Sequence, residues 1–384
     1  MESYRIPIEF AIMLFPFIAF LFTLPFLIHE YRKYGAVPFF KSVIFYSMIL
    51  YLLTAYLMVI LPLPSIEEVA SYTGSSMQLE PFRFLSDIRV TTTLNLNDIN
   101  SILNFLNRST VYTVLFNLLM MIPFGIYLRY FFNKKWYQTI FWTFLLSLFF
   151  EITQLTGLYG IYPRAYRIFD VDDLIVNTLG GLVGYIISPI VTLFLPTTEE
   201  LNNKGYEKGK KVRLLRRAVS LIIDIVFLCI FAFIFRVILH GTELSEYYFL
   251  FAIILYYIVI PLLNNTKTFG KIIVKLEVVE IKDHFSYLKL LLRNFILAFF
   301  ILYPFSWLII LSNHAPSILI YILGAFLLVF EIVNLFSYII KKDGEHLFLY
   351  ERLTNTKNKS TIIREEEKEE VEEQEEMDEE EEEK

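Results

Sequence analysis

The chain has one cysteine in 384 residues, Cys229, so no intramolecular disulfide and no cysteine metal cluster can form. Its five histidines, His29, His240, His284, His314 and His346, are scattered without the short spacings that hold a metal. There is no G-x-S-x-G elbow and no phosphate-binding glycine loop, which removes the commonest hydrolase and nucleotide signatures. Charge is also scarce. Only 19% of residues are Asp, Glu, Lys or Arg, against 56% hydrophobic, and mean hydropathy is +0.53. Soluble domains carry about a quarter charged residues. No nucleic-acid partner and no cofactor or metal site are expected.

What is abundant is long apolar runs. Many reach the roughly 20 residues that cross a bilayer. They predict an all-α polytopic membrane protein with about nine spans, near 6–28, 42–62, 111–131, 137–156, 174–195, 218–239, 247–263, 292–311 and 317–340. The first run is interrupted by Glu9 and lacks a small-residue cleavage site, so it reads as a retained helix. The loops alternate between basic and non-basic. Lys and Arg gather in 29–41, 129–136, 196–217 and 264–291, and are few or absent in the loops between. By the positive-inside rule the N-terminus is outside and the C-terminus cytoplasmic. The expected setting is a lipid bilayer, with the chain multi-pass in a plasma membrane.

Net charge is −6, yet residues 364–384 alone hold 15 acidic and 3 basic residues. The rest is mildly basic, with 31 Lys and Arg against 25 Asp and Glu. The acidic run has no core-forming residues and repels itself, so a disordered, solubilising tail is expected. The polar linker 196–213 separates two membrane modules, 1–195 and 214–345, and a cytoplasmic tail follows over 346–384. The long segment 63–110 predicts a small cap outside the membrane, with an interfacial helix near Ile99–Leu106.

Polar groups concentrate at one helix boundary, Glu151–Gly184. Glu151 and Gln154 are three apart and share a face at the end of the fourth span. Arg167, Asp170 and Asp173 recur every three residues into the fifth span, and Asn177 lies one turn deeper. Asp172 or Asp173 suits the N-cap of that helix. Gly180 and Gly184 form a G-x-x-x-G pair that permits close helix approach. On the third span Asn117 precedes Pro123 and Gly125, where proline frees a backbone carbonyl. Ionisable groups beside a span are costly, which makes the set a candidate outward-facing polar site. An inter-helix network in which Glu151 and Asp170 neutralise Arg167 is the structural alternative.

The order N-x-x-x-x-x-P-F-G (Asn117–Gly125), E-x-x-Q (Glu151–Gln154) and R-I-F-D-V-D-D-L-I-V-N-T-L-G-G-L-V-G (Arg167–Gly184) resembles the VanZ-like family across roughly residues 10–195. The resemblance implies a bacterial cell-envelope protein, linked by family name to low-level resistance to the glycopeptide teicoplanin, and no defined reaction. A twelve-residue stretch containing Tyr159, Tyr162 and Tyr166 between Gln154 and Arg167 departs from the family pattern.

A second set begins at Arg217, at the start of the sixth span, with Asp224 two turns along the same face. T-F-G-K (Thr268, Gly270, Lys271) follows the seventh span, and alternation over Lys271–Glu280 predicts a small hairpin near 270–282. Arg293 comes next. Arg217, Asp224, the T-x-G-K and Arg293 resemble the RDD family over roughly 212–340, with Asp283 the nearest candidate for its second aspartate. The resemblance implies a membrane module for which transport has been suggested.

Three functions follow. The leading expectation is a non-enzymatic or weakly enzymatic envelope protein whose outward polar cleft engages an envelope lipid, a peptidoglycan precursor or a glycopeptide-related ligand, with Arg167 as anion contact. The second is a transporter using Asp224 and Glu331. The third is an enzyme acting on an envelope lipid with Glu151 or Asp173 as general base.

Overall fold

The computed structural model describes residues 2–91, 97–281, 287–297, 317–339, 347–364 and 367. The chain divides into one compact unit of residues 1–23 and 38–201 and a second of 24–37 and 202–384.

Long apolar helices dominate because a bilayer leaves the backbone no partner but itself. They are α1 (Glu2–Tyr34), α2 (Phe39–Ile60), α6 (Ser109–Tyr130), α7 (Trp136–Leu155), α9 (Val171–Val191) and α11 (Leu214–Ile238). A further helical run, Ser245–Leu263, comprises α12 (Tyr248–Ile254), a π-turn at Leu255–Val259 and α13 (Ile260–Leu263). Among the described residues six helices are long and apolar enough to cross a membrane, and these six coincide with six of the expected spans. The expected span 137–156 is a continuous helix, α7, that carries polar side chains. Most of the expected span 292–311 lies outside the described residues. The last expected span is helix α16 (Ser317–Ile339), apolar over Gly324–Phe336.

In the first unit α6 and α9 meet backbone to backbone. A Cβ at Gly180 or Gly184 would collide with the carbonyls of Leu118 or Ile122, and one at Gly125 with that of Gly181. This is the close approach that the glycine pair predicts. Gly181 packs instead on Thr143 of α7. Along α7, Thr139, Thr143, Ser147 and Glu151 recur every four residues and are all buried, so a stripe of small side chains leads up to the carboxylate. The Thr143 hydroxyl donates to the Thr139 carbonyl at 2.8 Å, which satisfies it within its own helix. Ala55, Met121 and Phe150 form the apolar centre.

Short elements cap this unit: α3 (Ile66–Ala70), β1 (Met77–Gln78), α4 (Arg83–Thr91), α5 (Ile99–Leu106), α8 (Gly157–Gly160) and β2 (Phe169–Asp170). The helix expected near Ile99–Leu106 is α5, with Asp98 as N-cap. β1 pairs in parallel with β2, so the 63–110 segment is fastened to the strand that enters α9.

The second unit contains α10 (Thr198–Gly209) in large part, then α11 to α13, α14 (Phe269–Ile273), β3 (Leu276–Glu280), α15 (Tyr287–Ile296), α16, α17 (Leu349–Thr354) and β4 (Thr356–Ser360). The local hairpin expected near 270–282 does not form. Residues 269–273 are helical, and β3 pairs antiparallel with β4, some 80 residues later, from Leu276↔Ser360 to Glu280↔Thr356. A local turn would have needed glycine or asparagine pairs that this stretch lacks. The segment 347–364, expected as part of the tail, therefore completes the module. The acidic run lies almost wholly outside the described residues, as do Asp283 and the side chain of Glu331.

Candidate functional site

The polar boundary of the first unit closes around a cavity of about 260 Å³. Asn117, Glu151, Gln154, Arg167, Asp173 and Asn177 all line it, beside Met120, Phe150 and the Val59–Pro62 turn. They come from four places. Asn117 stands on α6, Glu151 and Gln154 on α7, and Asp173 and Asn177 on α9. Arg167 reaches in from the loop before β2.

The α6–α9 contact sets the floor. Asn117 Nδ2 donates to Asp173 Oδ1 at 2.7 Å. One turn deeper, Asn177 Nδ2 donates to Ser147 Oγ at 2.8 Å. Asn177 is only 3% exposed, yet its Oδ1 accepts no hydrogen bond. Such an unmet buried acceptor is uncommon. Glu151 Oε2 accepts from the Asp170 amide at 2.9 Å, tying α7 to the start of α9. Gln154 Nε2 and Arg167 NH1 both donate to the Val59 carbonyl at 3.0 Å, which joins the C-terminal turn of α2 to the rim.

Arg167 is exposed and has no carboxylate within 4.0 Å among the described residues. The alternative network, in which Glu151 and Asp170 neutralise Arg167, thus has no ion pair among the described residues. Its guanidinium keeps donors beyond the single bond to Val59. The floor is the reverse, with two carboxyl groups and the Asn177 carbonyl oxygen. Donor-rich rim and acceptor-rich floor suit a ligand with an anionic group outside and hydroxyl or ammonium groups within.

The three aspartates have separate duties. Asp170 caps α9, its Oδ1 accepting from the Asp172 amide at 2.8 Å. Burial, and then the neighbouring Asp172, push its carboxyl up, opposed by that amide. Asp172, which the sequence offers as a cap for this helix, instead accepts from Phe82 and Phe84 amides at the start of α4. Asp173 alone turns to the cavity, while Asp170 stands behind it. Arg164 holds the cap by donating to the Tyr72 and Gly74 carbonyls. Of the three tyrosines in the twelve-residue stretch, Tyr162 and Tyr166 are buried and Tyr159 is exposed. Tyr162 and Tyr166 pack on Val69, and the Tyr162 hydroxyl donates to Pro64 at 2.8 Å. Gly157, at φ +61° with no room for a Cβ beside Arg164 and Tyr162, permits the turn into it.

In the second unit, Arg217, Asp224, Lys271 and Arg293 line another cavity, of about 210 Å³. Thr268 and Gly270 hold Asp224. Its carboxylate accepts from Tyr256 Oη at 2.7 Å, Thr268 Oγ1 at 3.0 Å and the Gly270 amide at 2.8 Å. A Cβ at Gly270 would strike Ser220 and Asp224, which explains the glycine. So well-bonded a carboxylate is a tether between α11, α12 and α14. Two members escape sequence reasoning. Arg216 is fully buried and donates to the carbonyls of Val274, Gly209 and Lys275 and to Ser360 Oγ. Glu351, also fully buried, pairs with Arg217 at 2.6 Å and Arg293 at 3.4 Å. Its one visible signal is a lone acid following the apolar L-F-L-Y at 347–350.

No group of His, Cys, Asp and Glu suited to a metal occurs among the described residues. Residues 44–192 match the family described as VanZ/LLP1, and residues 212–347 match the RDD family. No curated protein and no solved structure matches the chain.

Proposed function

For a chain that joins a VanZ/LLP1 segment to an RDD segment, we propose a role in the bacterial cell envelope. This multi-pass membrane protein binds, at the Glu151–Asp173 cavity, the headgroup of an envelope lipid or peptidoglycan precursor. The observation that carries the reading is the convergence of six polar side chains from α6, α7, α9 and the Arg167 loop on one cavity. Arg167 takes the ligand's phosphate or carboxylate at the rim. Asp173, Glu151 and Asn177 accept from its hydroxyl or ammonium groups. The alternation of basic and non-basic loops supports a topology with this cavity on the outer face, the N-terminus outside and the C-terminus cytoplasmic. A contribution to glycopeptide resistance then follows from altered access to, or supply of, the bound precursor.

The test has two arms. Lipids that co-purify with the full-length protein are identified by native mass spectrometry, for wild type, Arg167→Gln and Asp173→Asn. Teicoplanin susceptibility is measured for the deletion strain complemented with each. The expected result is a headgroup lipid enriched on the wild type and depleted at least tenfold in both variants, the loss of one charge-assisted hydrogen bond being about 1.5–3 kcal/mol. Equal lipid occupancy in all three proteins, with unchanged susceptibility, would rule the reading out.

A further inference from the structure

The cavity of the second unit takes no part in that function, and its charges do not balance. Three cations line it, Arg217, Lys271 and Arg293. Glu351 is engaged by the two arginines. Asp224 spends its oxygens on Tyr256, Thr268 and the Gly270 amide. Lys271 is left with one side-chain partner, Thr268 Oγ1 at 3.2 Å, and no carboxylate within 4.0 Å among the described residues.

Two more donors are idle in the same wall. Nε of Arg293 and the hydroxyl of Tyr257 make no hydrogen bond, although each side chain is only 1% exposed. The π-turn at Leu255–Val259 contains both Tyr256 and Tyr257, and the Tyr257 carbonyl accepts from Asn294 Nδ2 at 2.8 Å. The backbone that carries this buried side chain is therefore anchored. Burial pushes the Lys271 ammonium down to about 8, with Asp224 opposing the fall and Arg293 adding to it. An anion placed among these groups would supply the missing acceptor to all three and relieve the repulsion between the two cations. Leu221, Leu297 and Phe348 are among the apolar residues that also line it, so the cavity offers surface to an acyl or isoprenoid chain.

We propose that this cavity binds a phosphate-type oxyanion, with Lys271 and Arg293 holding its charge and the Tyr257 hydroxyl donating one hydrogen bond. The ammonium acts as a point charge and the guanidinium as a directional donor, a division suited to a tetrahedral oxyanion. The source is either a free oxyanion or the headgroup of an anionic lipid.

Calorimetric titration of the purified full-length protein tests this. In detergent the titrant is inorganic phosphate. In nanodiscs, phosphatidylcholine alone is compared with phosphatidylcholine containing phosphatidylglycerol, and stabilisation is read as a shift in melting temperature. Binding of inorganic phosphate assigns a free oxyanion. Stabilisation by phosphatidylglycerol without phosphate binding assigns a headgroup. Under either outcome Lys271→Gln and Tyr257→Phe weaken the interaction about tenfold, the effect of one hydrogen bond to a charged group. Lys208→Gln, at an exposed cation that lines neither cavity, leaves it unchanged. Tyr257→Phe guards against a folding artefact, because it removes only an unpartnered hydroxyl and should keep or raise the melting temperature of the unliganded protein. The proposal is overturned if neither probe acts on the wild type, or if Tyr257→Phe and Lys271→Gln respond as the wild type does.

Discussion

Adding one methyl group at Gly180 or Gly184 should take the first cavity apart. Both glycines lie where α9 presses on α6, and the obstacles to a Cβ are the backbone carbonyls of Leu118 and Ile122. Helix backbone cannot swing aside as a flexible side chain can, so the helices must separate. A gap of about 0.5–1 Å forfeits a quarter to a half of each contact's attraction, itself about 0.1–0.2 kcal/mol. Summed over an interface in which the two backbones touch, the loss is about 2–3 kcal/mol, near the upper end for overpacked sites. The separation also stretches the 2.7 Å bond from Asn117 to Asp173 toward the limit of hydrogen bonding. Thermal unfolding in detergent, followed by tryptophan fluorescence, measures the first effect, and lipid retention measures the second. Gly74→Ala is the control, because a Cβ there meets nothing within 4 Å, and its cost should stay within about 0.5 kcal/mol. The double variant should cost less than the sum, since helices already parted accept the second methyl more readily. Melting of Gly180→Ala and Gly184→Ala together with Gly74→Ala would refute the close approach.

Other perturbations separate charge from geometry. Glu151→Ala strands the Asp170 amide and should cost about 1–3 kcal/mol, whereas Glu151→Gln keeps an acceptor and should cost less than half as much in the same melting assay. Asp172→Ala removes the acceptor for the Phe82 and Phe84 amides, so hydrogen exchange over 82–91 should rise while α9 stays protected. Glu351→Ala leaves two buried arginines without their counter-ion and should destabilise by about 3–5 kcal/mol, seen as a lower melting temperature. Lys271 gives a pH signature. Its folded value, about 8, lies below the ordinary lysine value of 10.5, so between them the unfolded chain binds more protons. Wild-type stability relative to Lys271→Met should therefore be flat below pH 8 and rise above it by about 1.4 kcal/mol per unit. A flat difference from pH 7 to pH 10 would show that the ammonium is solvated.

The parts of the molecule that could be read in advance are those in which one local rule decides. The glycine pair of α9 foretold a close helix contact because only packing distance is at stake. The three-residue spacing of Arg167, Asp170 and Asp173 foretold a shared boundary, but not the division of labour there. Which aspartate caps α9, which holds α4 and which enters the cavity depends on β1 reaching β2 across more than 90 residues of chain. The same limit hid the partner of β3. Alternation marked 276–280 as extended, yet pairing with 356–360 is a long-range event with no local signature. Glu351 became visible as a core residue only once that pairing had placed α17 beside Arg217 and Arg293.

The two cavities differ in a way that argues against a single continuous chemistry along the chain. The first has carboxyl groups on its floor and its one guanidinium, Arg167, exposed at the rim, so negative charge is resisted within and attracted at the mouth. The second has its cations buried and two donors idle, so negative charge is favoured inside. A cation path through Asp224 would have to cross Lys271 and Arg293, against both their charge and the three hydrogen bonds that fix the Asp224 carboxylate. Asp224→Asn offers the decisive comparison. An ion-conducting carboxylate loses flux when neutralised. A tether keeps its acceptor for Tyr256 and the Gly270 amide in the one amide oxygen, turns an N–H toward Thr268 Oγ1, loses about 1–3 kcal/mol of stability, and leaves anion binding at Lys271 in place.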